Sequence, residues 1–134
     1  MANSSLSFDN PIFAQFAFYA AVVLLKTLAM SVYTIRFRLT KKPTFDEDVE
    51  RVRRCHLNDL ENVLPFVLLG ILYVTTGPDP GTAAFYFRMF AACRIMHTIA
   101  YLTPLPQPSR VLMFIGGHFV NMRLAVTVLT SGSF

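Results

Sequence analysis

The chain has 134 residues, enough for one domain. It is 54% hydrophobic and only 15% charged, with a mean hydropathy of +0.47. A soluble chain of this size buries too small a fraction of its surface to hide that much apolar material, which disfavours a disordered tail, a disulfide scaffold and an ordinary soluble enzyme and makes the bilayer the expected solvent.

The net charge of +4 and the pI near 9.4 would suit a nucleic-acid partner. Placement argues against one, because several of the 12 Lys and Arg residues sit inside apolar runs. Cys55 and Cys93 are far apart and show neither zinc spacing nor a disulfide framework.

Along the chain, the first apolar run is Ile12 to Ile35, broken by Gln15, Lys26 and small hydroxyl residues. It exceeds the ~20 residues needed to cross hydrocarbon. The preceding stretch lacks Lys and Arg and contains Asp9, and the run is too long for a signal core, so a retained span is expected. The second run, Val63 to Thr76, is short. Extending it upstream brings Asn58, Asp59, Glu61 and Asn62 near membrane depth, where such groups need a polar interior. This helix is therefore expected inside a bundle.

Pro43 precedes Thr44-Phe45-Asp46-Glu47, a Thr-x-x-Glu capping box. A helix starting there can run through Arg54 into the second span, with a kink at Pro65. Gly77-Pro78-Asp79-Pro80-Gly81 reads as a tight turn. The third and fourth runs, Thr82 to Leu102 and Val111 to Leu129, are joined by Thr103 to Pro108, a stiff proline-rich connection. The expectation is one all-α membrane domain with spans at about 12–36, 60–76, 82–102 and 111–129, and a loop with helix extension over 37–59.

Arg36, Arg38, Lys41, Lys42, Arg51, Arg53 and Arg54 crowd the first loop, whereas the N-terminal tail, the 77–81 turn and the tail after Leu129 carry no Lys or Arg. The positive-inside rule places the 36–54 and 103–110 loops in the cytosol and both termini in a lumen or outside. Asn3-Ser4-Ser5 is then a sequon on the lumenal side.

Polar residues within the spans carry the functional signal, since intramembrane ionisable groups mark sites by default. On the second helix Arg51, Arg54, Asn58 and Glu61 fall within about 80° of one another, and on the third Arg94, His97 and Tyr101 fall within about 60°. The stripes could merely satisfy each other, as in an Arg94–Glu61 pair. However, Arg38, Arg51, Arg54, Arg94 and Arg110 face one expected buried acid, Glu61. Such a pocket suits an anion, and arginine forks suit carboxylates. A small zwitterionic peptide with more than one carboxylate fits better than a nucleotide, because no Gly-rich phosphate loop is present. Lys26 is read as snorkelling or paired within the bundle and Arg88 as structural. Cys55-His56 has no companions for a metal.

The stretch Val49-Glu50-Arg51-Val52-Arg53-Arg54-Cys55-His56-Leu57-Asn58-Asp59-Leu60-Glu61-Asn62 resembles the signature of the membrane-associated proteins in eicosanoid and glutathione metabolism. So does Arg94-Ile95-Met96-His97-Thr98-Ile99-Ala100-Tyr101 with the following Leu102 to Pro108. The resemblance spans nearly the whole chain. It implies a four-helix protomer in a homotrimer, with glutathione as co-substrate bound between protomers near the cytosolic side. Arg38, Arg54, Asn58, Glu61, Arg94, His97, Tyr101 and Arg110 would line the glutathione site, with Arg51 behind them, and Arg110 would stabilise the thiolate as the catalytic group.

The implied activity is a membrane-bound glutathione transferase acting on lipophilic electrophiles, with peroxidase activity towards lipid hydroperoxides, in the endoplasmic reticulum and also the mitochondrial outer membrane. Two departures from the family pattern bear on this. The loop around Pro43 to Glu47 is shortened and lacks a stress-sensing cysteine, and Val111 stands where the prostaglandin-forming members carry a serine. Glutathione-dependent prostaglandin E synthesis, or a non-enzymatic lipid-binding scaffold, are the alternatives.

Overall fold

Asn10 opens the first helix, its side-chain oxygen accepting from the Ile12 N–H at 3.0 Å, with Pro11 supplying a helical φ at the first position. In the computed structural model this helix, α1, spans Pro11–Thr40. Thr27 and Thr34 are buried on it and donate their hydroxyls to the Val23 and Met30 carbonyls, which hides both polar groups inside an apolar surface. The helices α2 (Glu47–Thr75), α3 (Pro80–Leu102) and α4 (Gln107–Ser131) follow. The structure describes residues 5–41, 47–103 and 105–132. Thr44, Phe45 and Asp46 of the expected capping box, and Asn3 and Ser4 of the sequon, lie outside the described residues.

α2 runs without interruption from Glu47 through Pro65. The proline ring removes one N–H and leaves the Glu61 carbonyl without its helical donor. Gly77, at φ 64°, ends the element in the left-handed conformation that glycine adopts without strain. Asp79 caps α3, and Pro80 follows it. α4 begins at Gln107 rather than Val111, because Pro108 is well placed in a first helical turn, and the stiff connection shortens accordingly.

Helices α1, α2 and α4 are long and apolar enough to cross a membrane. α2 thus carries a longer apolar window than its Val63 to Thr76 run had suggested. The 29 residues of α2 contain an adequate apolar window, whereas Arg88, Arg94 and His97 lower the hydropathy of α3 despite its 23 residues. At 1.5 Å per residue the 30-residue α1 is about 45 Å long, more than the ~30 Å of hydrocarbon.

The helices run up, down, up, down. α1 touches α2 and α3, α4 touches the same two, and α2 and α3 also touch each other, so α1 and α4 stand at opposite corners. The main core is aromatic: Phe16, Phe66, Tyr73, Phe87 and Phe90 pack between the helices, with Phe66 and Phe90 stacked at 3.9 Å. A smaller cluster of Met30, Val52 and Cys55 lies nearer the basic end, where α1 and α3 finish and α2 and α4 begin. Leu25, Leu28, Leu64, Leu68, Leu112 and Ile115 point outward. An apolar exterior around a core containing charge is the pattern of a chain folded for lipid.

Gly70 lets α2 approach α1, because a Cβ there would run into the Phe16 ring. Gly70→Ala should therefore lower thermal stability in detergent by about 1–3 kcal/mol through overpacking, and an unchanged melting temperature would mean that Phe16 has room to move. At the opposite end from the basic loops, the Asp79 carboxylate accepts from the Thr82 N–H at 2.8 Å and the Thr82 hydroxyl at 2.9 Å. These bonds hold its carboxyl below its ordinary 3.8. A folded-state value below the unfolded one stabilises above about pH 4 and fades as pH falls through the folded value. Asp79→Ala should thus lower the melting temperature at neutral pH, with the difference from wild type narrowing in acid. A constant difference across that range would remove the carboxylate from the account.

Candidate functional site

Three helices bring ionisable side chains to one level of the bundle. Asp59 of α2 is fully buried, and its Oδ1 lies 2.6 Å from Lys26 Nζ of α1 and 2.6 Å from an Arg94 guanidinium nitrogen of α3. Thr98 accepts from Lys26 at 2.8 Å and donates to the other Asp59 oxygen at 3.3 Å. Lys26 also donates to the Arg94 carbonyl at 3.2 Å. This layer separates the aromatic core from the smaller apolar cluster at the basic end. One carboxylate between two cations leaves a formal charge of +1 inside the bundle.

The same Arg94 nitrogen reaches Asn58 Oδ1 at 2.8 Å and His97 Nδ1 at 3.3 Å. Its Nε and Nη1 are buried and make no hydrogen bond among the described residues. Asn58 and His97 are on the wall of a cleft of about 180 Å³, completed by Tyr101, Arg110, Val111 and Phe114. A second cleft, of about 350 Å³, shares Tyr101 and Arg110 and adds Glu47, Arg51, Arg54 and Gln107. Both open at the basic end, between α2, α3 and α4.

Arg110 sits in the first turn of α4, where the helix dipole adds positive potential. Its Nε donates to the Ala100 carbonyl at 3.3 Å and its guanidinium carbon stands 4.9 Å above the Tyr101 ring, which braces the side chain. Arg51 pairs with Asp48 at 2.8 Å, whereas Arg54 lies 3.9 Å from Glu50 and is 66% exposed, leaving its charge largely available. Three arginines and one carboxylate, Glu47, line this cleft, and with Arg51 already paired to Asp48 it is Arg54 and Arg110 that make it cationic. With an adjoining wall of Val111 and Phe114, the arrangement can hold an anion beside an apolar surface.

The structure thus brings together Arg51, Arg54, Asn58, His97, Tyr101 and Arg110. Three others do not line the clefts. Arg94 lies behind the wall rather than on it, because burial beside Asp59 claims its charge. Glu61, expected as the buried acid and as a partner for Arg94, is exposed on α2, and Asp59 takes that place. Arg38 is exposed on α1, the corner diagonal to α4, and reaches neither cleft.

Sequence reasoning missed Asp59, Thr98, Glu47, Gln107 and Phe114. Asp59 had a signal: two mid-span cations, Lys26 and Arg94, require a counter-ion. One residue past Asn58 turns it about 100° off the polar stripe, into the bundle. Glu47 had been read only as a capping residue. Lys26 is paired within the bundle, as its position suggested. Arg88 makes no ion pair among the described residues and is exposed on the wall of a cleft that it shares with Gln15. His118 stacks on Phe114, and Arg123 donates to the Tyr86 hydroxyl at 3.2 Å. Among the described residues no cluster of His, Cys, Asp or Glu could hold a metal ion.

The fold and the cleft define an all-α integral membrane protein whose polar chemistry is gathered at one end of the bundle. Residues 16–130 match the MAPEG family, and the chain belongs to it. It is 46% identical to human microsomal glutathione S-transferase 1, with 92% of each chain covered. The bovine protein of that name is also 46% identical, over 98% of this chain and 97% of its own. Human prostaglandin E synthase is 30% identical over 96% of this chain and 95% of its own.

The ionic layer gives a direct test. Asp59→Asn leaves Lys26 and Arg94 buried without a counter-ion, which costs on the order of 3–5 kcal/mol when one partner of a buried pair is removed. Glu61→Gln, on an exposed face, should stay within about 0.5 kcal/mol of wild type. Thermal unfolding in detergent measures both, and a reversed ranking would return the counter-ion role to Glu61.

Proposed function

We propose that the protein is a membrane-bound glutathione transferase that adds the glutathione thiolate to lipophilic electrophiles. The observation that carries this reading is the convergence of Arg51, Arg54 and Arg110 on one cleft, adjoined through Tyr101 and Arg110 by a second whose wall is apolar. Glutathione has two carboxylates, an ammonium and a thiol, and its family relatives include proteins named as glutathione transferases. Arg51 and Arg54 hold carboxylates, while Glu47 or Glu61 takes the ammonium. Asn58, His97 and Tyr101 meet the peptide groups.

The nucleophile is the thiolate, whose unperturbed pKa of about 8.5 must fall for reaction at neutral pH. Arg110 supplies the positive charge, reinforced by the start of α4. Val111 and Phe114 place apolar surface next to the sulfur, where an electrophile dissolved in the bilayer arrives from the side. Lipid hydroperoxides reach the same thiolate, which gives peroxidase activity.

Arg38 and Glu61 enter the site when protomers associate. In the proposed homotrimer the face that carries Arg38 meets a neighbouring copy, so that an outward Arg38 completes a neighbour's cleft. The proposed setting is the endoplasmic reticulum, and also the mitochondrial outer membrane, with the basic end towards the cytosol. Prostaglandin E synthesis would use the same cleft. Val111 beside Arg110 offers no hydroxyl for it.

Arg110→Ala should abolish the thiolate absorbance of bound glutathione and lower aryl-halide conjugation by about 10²-fold, the usual loss when one oxyanion-type donor is removed, while glutathione still binds. Persistence of the thiolate signal would exclude Arg110 from the role. Turnover of a prostaglandin endoperoxide but no aryl halide by the wild-type protein would favour the synthase instead.

A further inference from the structure

We infer that the buried Asp59–Arg94 pair is a positioning device that leaves Asn58 and His97 facing the cleft as N–H donors only, with His97 held as its neutral Nε2–H tautomer. This wall then takes groups that purely accept, carboxylate or thiolate, and turns away groups that donate.

The Arg94 guanidinium has five donors and no acceptor. Any atom facing it at hydrogen-bond distance must accept. The Arg94 nitrogen that meets Asp59 Oδ1 at 2.6 Å also faces Asn58 Oδ1 at 2.8 Å and His97 Nδ1 at 3.3 Å, so one of its two hydrogens is shared. The Asn58 oxygen is thereby turned towards Arg94, and its amino group is the part presented to the cleft. A proton on His97 Nδ1 would set donor against donor beside a cation. The ring proton therefore belongs on Nε2, and an imidazolium is disfavoured for the same reason.

Neither Asn58 Nδ2 nor His97 Nε2 donates to another side chain among the described residues. Lys26 and Thr98 complete the device from α1 and α3. They bind the two Asp59 oxygens at 2.6 and 3.3 Å, so the carboxylate cannot rotate away from Arg94 without breaking contacts to three side chains. Arg110, across the small cleft, is also donor-only, and the Tyr101 hydroxyl is the side-chain acceptor there that Arg94 does not already hold. Arg94 and Asp59 are thus positioning residues: they act on a ligand through Asn58 and His97. The ligand half of the inference rests on the glutathione reading of the cleft; the tautomer half does not.

The test uses the full-length protein in detergent without ligand, labelled with ¹⁵N-histidine, the His97 signals being assigned by their loss in His97→Gln. The expected spectrum has a protonated Nε2 and an unprotonated Nδ1. An Nδ1–H tautomer, or an imidazolium at neutral pH, would overturn the inference whatever the enzyme does. Arg94→Lys keeps a charge for Asp59 but gives up the fork that spans Asn58 and His97 together. It should produce a mixture of His97 tautomers and raise the KM for glutathione about tenfold, with kcat at saturation within about twofold of wild type. A single Nε2–H tautomer together with an unchanged KM in this variant would reduce Arg94 to a packing role. If Arg94→Lys does not fold, the wild-type spectrum still decides. If glutathione fails to bind a wild-type protein with the expected spectrum, the function falls and the positioning device stands.

Discussion

The Asp59 carboxylate is the constraint on which the rest of the structure depends. Lys26 and Arg94 each lie well inside an apolar run, and neither is tolerable there alone. One acid on α2, meeting a cation from α1 and a cation from α3 at 2.6 Å, fixes the relative height and rotation of three helices at once. Hydrophobic contact could not do this in lipid, because the surrounding chains are as apolar as the side chains. α4 is positioned in turn by α2 and α3, with the Asn121 amide donating to the Asn62 carbonyl at 3.0 Å.

From that layer the bundle diverges in character. On one side is an aromatic core in which Phe16 lies against Gly70 and Phe66 stacks on Phe90. On the other, α2 begins early and carries Glu47, Arg51 and Arg54 to the mouth of the clefts. Arg94 connects the two regimes. It is neutralised on its inner side and reaches the cleft wall through Asn58 and His97, so the group that aligns the helices also orients the lining of the proposed binding site. The wall is therefore set before any ligand arrives, the condition under which hydrogen-bond donors are most effective towards developing charge.

Much of this was legible in the residues. The helix punctuation at Pro80 and Gly77, the early start of α2 and the polar stripes on α2 and α3 all follow from local chemistry. The exchange of Glu61 for Asp59 has one cause. Stripe analysis reports which side chains point the same way on one helix and says nothing of which face meets a neighbour. Glu61 lies on the α2 stripe and faces outward, whereas Asp59 lies off it and faces in. Glu47 was hidden in a capping motif, and Gln107 in a connection that proved to be helix.

The sequence by itself determined the solvent, the all-α class, the antiparallel order of the helices and the gathering of basic residues at one end, because hydropathy, proline and glycine placement and charge asymmetry are properties of the chain read in one dimension. The tertiary structure alone decided which acid neutralises Lys26 and Arg94, which arginines share a cleft, and that Arg38 and Glu61 face away from it. Those outcomes depend on the rotation of each helix about its axis. A step of one residue turns a side chain by about 100°, and only packing against the neighbouring helices selects the angle.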